Sequence, residues 1–345
     1  MNTGEKIKVA IFGGSGYGGS ELLRILLFHP FAEIVFVTAN EHAGRAVSDV
    51  HKNLLGLTDL VFVQNLDSIG LLAGVDLAFF ALPHGQASDL IPQLPDHVRA
   101  IDLSGDFRLD DPKTHEQYYG RKHAGELQRR FVYGLTETNR DAIKDAQYVA
   151  NPGCFATAIT LALAPMVRSG LINGKVIVDA KTGSSGSGAK PAANTHHPQR
   201  INSFYAYKPF EHQHLPEVKQ HLRLFGGFDG DLILMTHSLP VSRGIFASCY
   251  LETTVEITNE DAMNLFKHTY SDSFFVRLRD GSPDINWVKN TNFCDLSVRT
   301  SGRNVVIFSA IDNLVKGAAG QAVQNMNLMF GSKEETGLVF PGSNP

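Results

Sequence analysis

Lys8-Val9-Ala10-Ile11-Phe12-Gly13-Gly14-Ser15-Gly16-Tyr17-Gly18-Gly19 is a continuous apolar run that breaks into glycines. Ser20 to Phe28 then repeats Leu and Ile at helical spacing, so the order is buried strand, glycine turn, helix. Gly13, Gly16 and Gly19 recur every third residue, a spacing unlike Gly-x-Gly-x-x-Gly, yet they stand where a dinucleotide loop belongs. Main-chain N–H groups and the positive end of the helix dipole can meet a pyrophosphate there. Ile34 to Val37, Asp76 to Leu82 and Arg99 to Leu103 are further buried-type runs. Strands alternating with helical stretches predict a parallel, doubly wound α/β sheet.

At 345 residues the chain exceeds the size at which one core keeps growing, which predicts two domains. After about residue 150 the texture changes. Lys175 to Lys181, Leu232 to Leu239, Phe246 to Ile257 and Val305 to Ile311 are longer β-type runs suited to a mixed or antiparallel sheet. A second domain is expected from near Cys154, and Lys316 to Phe330 reads as a helix, apolar on one face, returning to the first domain. The net charge of −4 offers no basic surface for nucleic acid. Met1 to Lys8 leaves no room for a signal peptide, and no apolar window spans a bilayer; both features predict a cytoplasmic protein without a membrane partner. The three cysteines are widely spaced, with no Cys-x-x-Cys pair, so neither a disulfide framework nor a cysteine zinc site is indicated.

Ala150-Asn151-Pro152-Gly153-Cys154-Phe155 sets one cysteine after a Pro-Gly turn and before a helical run. The positive end of a helix dipole favours thiolate over thiol, so Cys154 is placed for covalent chemistry. Cys249 and Cys294 read as half-buried strand or loop positions.

His212-Gln213-His214-Leu215-Pro216-Glu217 puts two imidazoles on alternate positions, which share a face in extended chain, with a carboxylate close behind. Histidine is the usual proton carrier near neutral pH, and a thiolate that is formed and regenerated needs one. The same residues, joined by His196 and His197, leave a metal-dependent hydrolase open as a competing reading, and a structural histidine pair is another. A nucleotide-binding redox sensor, its Cys154 oxidised instead of acylated, is a third. Lys181-Thr182-Gly183-Ser184-Ser185-Gly186-Ser187-Gly188-Ala189-Lys190 can wrap an oxyanion with N–H groups and hydroxyls, or form a mobile surface loop. Arg108, beyond the strand that ends at Asp102-Leu103, suits a phosphate or carboxylate, or a solvated salt bridge. After the second strand, Thr38-Ala39-Asn40-Glu41 lacks an acid at the strand end that selects the NAD ribose; Glu41 and Arg45 follow, and NADP is favoured.

Six blocks now stand in order: Gly16-Tyr17-x-Gly19-x-Glu21-Leu22-Leu23-Arg24, Ala81-Leu82-Pro83-His84-Gly85, Asp102-Leu103-Ser104-x-Asp106-Phe107-Arg108-Leu109, Ala150 to Cys154, His212-x-His214-x-Pro216-Glu217, and Asp312-Asn313-Leu314-Val315-Lys316-Gly317-Ala318-Ala319-Gly320. Over nearly its whole length the chain resembles the N-acetyl-γ-glutamyl-phosphate reductases, relatives of aspartate-semialdehyde dehydrogenase. The resemblance implies a Rossmann-type domain, residues 1–150 completed by 313–345, and an α+β catalytic and oligomerisation domain with a mixed sheet over 151–312. It implies a homodimer or homotetramer that reduces a small acyl phosphate with NADP in arginine biosynthesis, with no metal. Cys154 would be the nucleophile and His214 the acid/base residue. Gly13, Ser15, Gly16, Tyr17, Gly18, Ala39, Asn40, Pro83, Ser185, Gly186 and Asn313 would hold the cofactor. Arg108, Asn151, Ser185, Lys190, His212 and Glu217 would hold the substrate. A sister group acting on carrier-bound aminoadipyl or glutamyl phosphate in lysine biosynthesis shares the pattern. The chain departs from the family at Phe155-Ala156, where Tyr-Pro is usual, and at Thr136, where Pro is usual. At Ala189 an arginine is usual, which shifts any phosphate role there to Lys190. Some relatives carry arginines at the positions of Asn40 and Glu41.

Overall fold

Seven strands of the N-terminal half are β1 (Ile7–Phe12), β2 (Ala32–Thr38), β3 (Phe62–Val63), β4 (Leu77–Phe80), β5 (Arg99–Asp102), β6 (Phe131–Tyr133) and β7 (Tyr148–Ala150). They form one sheet in the order β3-β2-β1-β4-β5-β7-β6, parallel throughout. Every residue of β4 is buried, as a parallel strand covered on both faces demands. Phe12 stacks on Phe80 of the adjacent strand, centroids 4.7 Å apart, and meets Phe36 of the other neighbour edge-on at 5.7 Å. This computed structural model describes residues 5–65 and 67–342; the first four residues of the expected leaderless start, and 343–345 of the expected C-terminal return, lie outside the described residues.

The chain divides into two compact units, one of residues 1–152 with 318–339, the other of 153–317 with 340–345. In the first unit, helix Gly320–Met329 packs against helices Tyr17–Leu26 and Thr136–Lys144. Two features of the C-terminal segment differ from the sequence expectation. Instead of one helix from Lys316, a π-turn over Val315–Ala319 precedes the α-helix, because the N–H of Gly317 reaches back to the carbonyl of Asp312. Helix Gly320–Met329 is also buried on every side rather than on one face. Its buried amide N–H groups donate within the protein: Gln321 Nε2 to Gly134 O and Thr136 Oγ1, and Asn325 Nδ2 to Gly134 O and Asn151 Oδ1.

The second unit holds β8 (Ile172–Thr182), β9 (Tyr205–Tyr207), β10 (Leu232–Ser238), β11 (Ile245–Thr253), β12 (Val276–Leu278), β13 (Cys294–Ser301) and β14 (Asn304–Ile311). Their order is β12-β13-β14-β11-β8-β10-β9. Strands β8 and β10 run parallel, whereas β11 is antiparallel to both β8 and β14, so the sheet is mixed. Helix Cys154–Ser169 packs on β11 and β14 beside helices His214–Gly226 and Asn259–Thr269, and is buried from Phe155 to Val167. Pro165 has no N–H for the carbonyl of Leu161, and Tyr270 Oη donates to that carbonyl instead. Cys249 and Cys294 are wholly buried strand residues, not half-buried ones, because both point into this core. Ile233, Ile177, Tyr250 and Val306 form a row across four strands on the opposite, partly exposed face. No helix among the described residues is long and apolar enough to cross a membrane.

Candidate active site

Gly153, with φ −68° and ψ 150°, caps the helix that Cys154 begins. The sulfur carrier therefore stands in the first turn, where main-chain N–H groups favour negative charge. The imidazole of His214 lies directly against Gly153: a Cβ at that position would fall 2.3 Å from Nε2 and 2.6 Å from both Cδ2 and Cε1. On another side the π-turn brings Gly317 flush with the cysteine, since a Cβ there would fall 2.7 Å from Cys154 Cβ. Close packing against two glycines thus sets the cysteine and the imidazole.

The two histidines are not on one face of an extended chain. Gln213 is helical (φ −59°, ψ −20°) and His214 opens helix His214–Gly226. The rings nonetheless lie 4.7 Å apart, because the main-chain N–H of His214 donates to Nδ1 of His212 at 3.1 Å. Phe155, at 5.2 Å, and Tyr207, at 5.9 Å, enclose the His212 ring. Burial, aided by the nearby charge of Lys208, pulls His212 down to about 4. Burial, and after it the electrostatic influence of Cys154, pushes the Tyr207 phenol up. No sequence motif marks Tyr207, a tyrosine on a three-residue edge strand.

Three expected substrate residues have structural partners in this fold. Glu217, 1 % exposed, accepts the N–H of Gly153 at 2.8 Å and so holds the entrance of helix Cys154–Ser169. Asn151 is wholly buried: its amide donates to the Ala318 carbonyl at 3.0 Å and accepts from Asn325, so it presents no amide to a substrate. Arg108, 5 % exposed, donates Nε to the carbonyl of Asn151 and Nη2 to that of Leu103. In the same loop, burial and the neighbouring charge of Asp106 push the Asp102 carboxyl up to about 7, against the hydrogen bonds it accepts from Ser104.

The small-residue loop also departs from expectation. The N–H groups of Gly183, Ser184 and Ser185 donate to the carbonyls of Gly244, Val241 and Ser242, so these amides are engaged by the neighbouring loop and do not cradle an anion. Asn313 is buried, accepts the N–H of Gly244 at 2.8 Å and donates to Ser185 Oγ at 3.0 Å, which brings two expected cofactor residues together. Gly186 and Lys190 are exposed. His196 and His197 are exposed too, and among the described residues no three His, Cys, Asp or Glu side chains converge in a way that could hold a metal ion.

In the first unit the glycine loop leaves β1 beside β4, at the point where the strand order reverses and α/β sheets bind ligands. Gly13 adopts φ +85°, and a Cβ there would fall 2.4 Å from the Ala81 carbonyl oxygen. Gly16 has no such packing reason: its nearest neighbour is Gly13 O at 4.0 Å. It begins helix Tyr17–Leu26, whose first turn has neither a side-chain cap nor an acid. That open N-terminus, which a side chain at 16 would fill, fits a pyrophosphate. Ser15 lies in the glycine loop, Tyr17 and Gly18 open the helix after it, and the exposed Pro83 lies in the loop after β4; Ala39 is buried just after β2, and Asn40 Oδ1 accepts the N–H of Asn65. His51, which the sequence reading missed, supports the turn through Nε2 and the Gly14 carbonyl, at 2.8 Å.

The family description "Semialdehyde dehydrogenase, NAD binding domain" matches residues 8–146, and "Semialdehyde dehydrogenase, dimerisation domain" matches 154–313. The chain is 40% identical to the N-acetyl-gamma-glutamyl-phosphate reductase of Methanocaldococcus jannaschii, over 98% of this chain and 99% of that protein. It is 44% identical to that of Archaeoglobus fulgidus (97% and 99%) and 42% to that of Bacillus subtilis (97% and 99%). Among solved structures, aspartate semialdehyde dehydrogenase II of Vibrio cholerae, complexed with ASA, shares the fold with a TM-score of 0.71 at 17% identity, covering 95% of this chain and 99% of that one. The Candida albicans enzyme, solved with NADP, gives 0.72 at 14%, covering 94% and 99%. The chain belongs to the N-acetyl-gamma-glutamyl-phosphate reductase family of semialdehyde dehydrogenases.

Proposed function

We propose that this chain reduces N-acetyl-γ-glutamyl phosphate to N-acetylglutamate semialdehyde and phosphate, in arginine biosynthesis, through a thioester on Cys154. The observation that carries the reading is the Cys154 helix start with the His214 ring packed against Gly153. His214 takes the thiol proton, and the thiolate attacks the acyl carbon. The acyl–oxygen bond to phosphate breaks and phosphate leaves with the electron pair. The nicotinamide, when bound, supplies the hydride that reduces the thioester. His214 then holds the proton that sulfur regains as the thiohemiacetal collapses to aldehyde and Cys154 is released. A thioester keeps the acid oxidation level yet is far easier to reduce than a carboxylate, which is what the cysteine contributes.

Ser15, Gly16, Tyr17 and Gly18 form the proposed pyrophosphate site of the first unit, and Asn313 and Ser185 are proposed as further cofactor residues. NADP is the proposed form: no acid ends β2, and Arg45 lies just beyond it, its Nη1 3.3 Å from His42 Nδ1. The proposed assembly is a homodimer or homotetramer in which a second copy covers the apolar row Ile233, Ile177, Tyr250 and Val306. The proposed location is the cytoplasm, where thiols stay reduced.

Cys154→Ser is expected to abolish aldehyde formation while nucleotide binding stays intact, and His214→Asn to slow turnover about 10² to 10⁴-fold. Robust turnover by C154S refutes the covalent route. The reverse reaction, run with N-acetylglutamate semialdehyde and with its aminoadipate homologue, each with NAD and NADP, tests substrate and cofactor together. Preference for the aminoadipate compound overturns the substrate assignment.

A further inference from the structure

We propose that His212 is a positioning residue for His214: its Nδ1 caps the helix that His214 opens and thereby fixes where the acid/base imidazole stands. This deepens the reading above and rests on it for the role of His214.

The first amides of a helix have no partner within it and need an acceptor from outside. Gln213, at the cap position of helix His214–Gly226, supplies no side-chain bond. Glu217, the acid of the first turn, is turned away to the N–H of Gly153. His212 supplies the acceptors instead: Nδ1 takes the N–H of His214 at 3.1 Å, and its carbonyl takes that of Leu215 at 2.9 Å. An Nδ1 that accepts carries no proton, so the neutral ring holds its proton on Nε2. Phe155 and Tyr207 pack the ring edge-on and prevent it from turning. Its displacement to about 4 keeps it neutral at working pH, which removes it from the proton transfers assigned to His214. Protonation of Nδ1 would set a donor against the His214 N–H and break the cap.

Two substitutions separate the two ring nitrogens. Asparagine places Oδ1 where Nδ1 stands and can cap; glutamine reaches toward the Nε2 position but puts a methylene where the acceptor was. H212A is expected to lower kcat about 10²-fold with KM little changed, the scale of loss for a reacting group misplaced by about 1 Å. H212N should recover most of that loss and H212Q should not. Amide hydrogen exchange at residues 214 and 215 should follow the same order, faster in H212A and H212Q than in H212N. Recovery by H212Q in place of H212N, or equal loss in both with unchanged exchange, overturns the proposal. The exchange measurement reads the cap whether or not the chain reduces an acyl phosphate, so failure of the cap and failure of the functional assignment are told apart.

Discussion

Gly153→Ala tests the geometry on which the active site rests. The backbone at 153 lies at φ −68° and ψ 150°, a conformation open to any residue, so alanine brings no dihedral strain. Considered alone, the change would stabilise the fold by about 0.4 to 1 kcal/mol, through the unfolded chain. The added methyl, however, lands 2.3 Å from His214 Nε2, whereas ordinary contacts begin at 3.4 Å, so the imidazole must retreat by about 1 Å. It has little room, because the His212 ring stands 4.7 Å away and Phe155 6.1 Å away. A shift of that size at an acid/base group costs about 10²-fold in rate, or about 2.7 kcal/mol of barrier. The assay is the reverse reaction followed by formation of the reduced nicotinamide, with cofactor affinity and the urea midpoint measured on the same preparation. A kcat drop with cofactor affinity near the parent is expected, together with a urea midpoint lowered by no more than an overpacking cost of about 1 to 3 kcal/mol. A G153A enzyme of near-parental kcat would refute the contact or its catalytic meaning.

Gly317→Ala pushes against Cys154 Cβ, 2.7 Å away, with no flexible end to yield; slower alkylation of Cys154 by iodoacetamide and a kcat lowered by about 10-fold or more are expected. Tyr270→Phe leaves the Leu161 carbonyl, already deprived of a donor by Pro165, unsatisfied in the core, and should lower stability by about 1 to 3 kcal/mol in urea melts. Asp102→Asn tests a carboxyl held at about 7 when folded against 3.8 in its ordinary state. The folded state keeps this proton longer than the unfolded chain, so the contribution to stability is full below pH 3.8 and is lost as pH rises to about 7. The variant should gain on the parent across that window by up to about 4 kcal/mol; a difference independent of pH rules the buried acid out.

How much of this was legible follows from the range of the interactions. The run from Lys8 to Phe12 and the glycines after it describe a strand and turn through local chemistry alone, and β1 (Ile7–Phe12) with helix Tyr17–Leu26 stand there. The mixed sheet is legible in β8, β10, β11 and β14, which are long and largely apolar; β3, β6, β9 and β12, of two or three residues each, are too short to show a period. Strand β13 hid because Asp295 and Ser297, which look like solvent positions in sequence, are buried. Helix Gly320–Met329 looks one-sided in sequence because Gln321 and Asn325 find partners at Gly134, Thr136 and Asn151, more than 170 residues away in the chain.

The polar residues of the motif blocks divide by the same logic. Sequence singles them out by type and place, but type does not say whether a carboxylate or guanidinium faces a ligand or the chain's own backbone. Glu217 bonds the N–H of Gly153, Arg108 the carbonyls of Asn151 and Leu103, and His212 the N–H of His214. Each of these bonds fixes main chain, and in each case the chain it fixes lies within three residues of Cys154 or His214, the proposed nucleophile and acid/base residue, or in the loop that carries the arginine itself. A reacting group misplaced by about 1 Å loses about 10²-fold, so side chains that hold the backbone beside Cys154 and His214 are under as strict a geometric demand as the reacting groups themselves. That demand explains why residues in the family's motif blocks need not all touch the substrate.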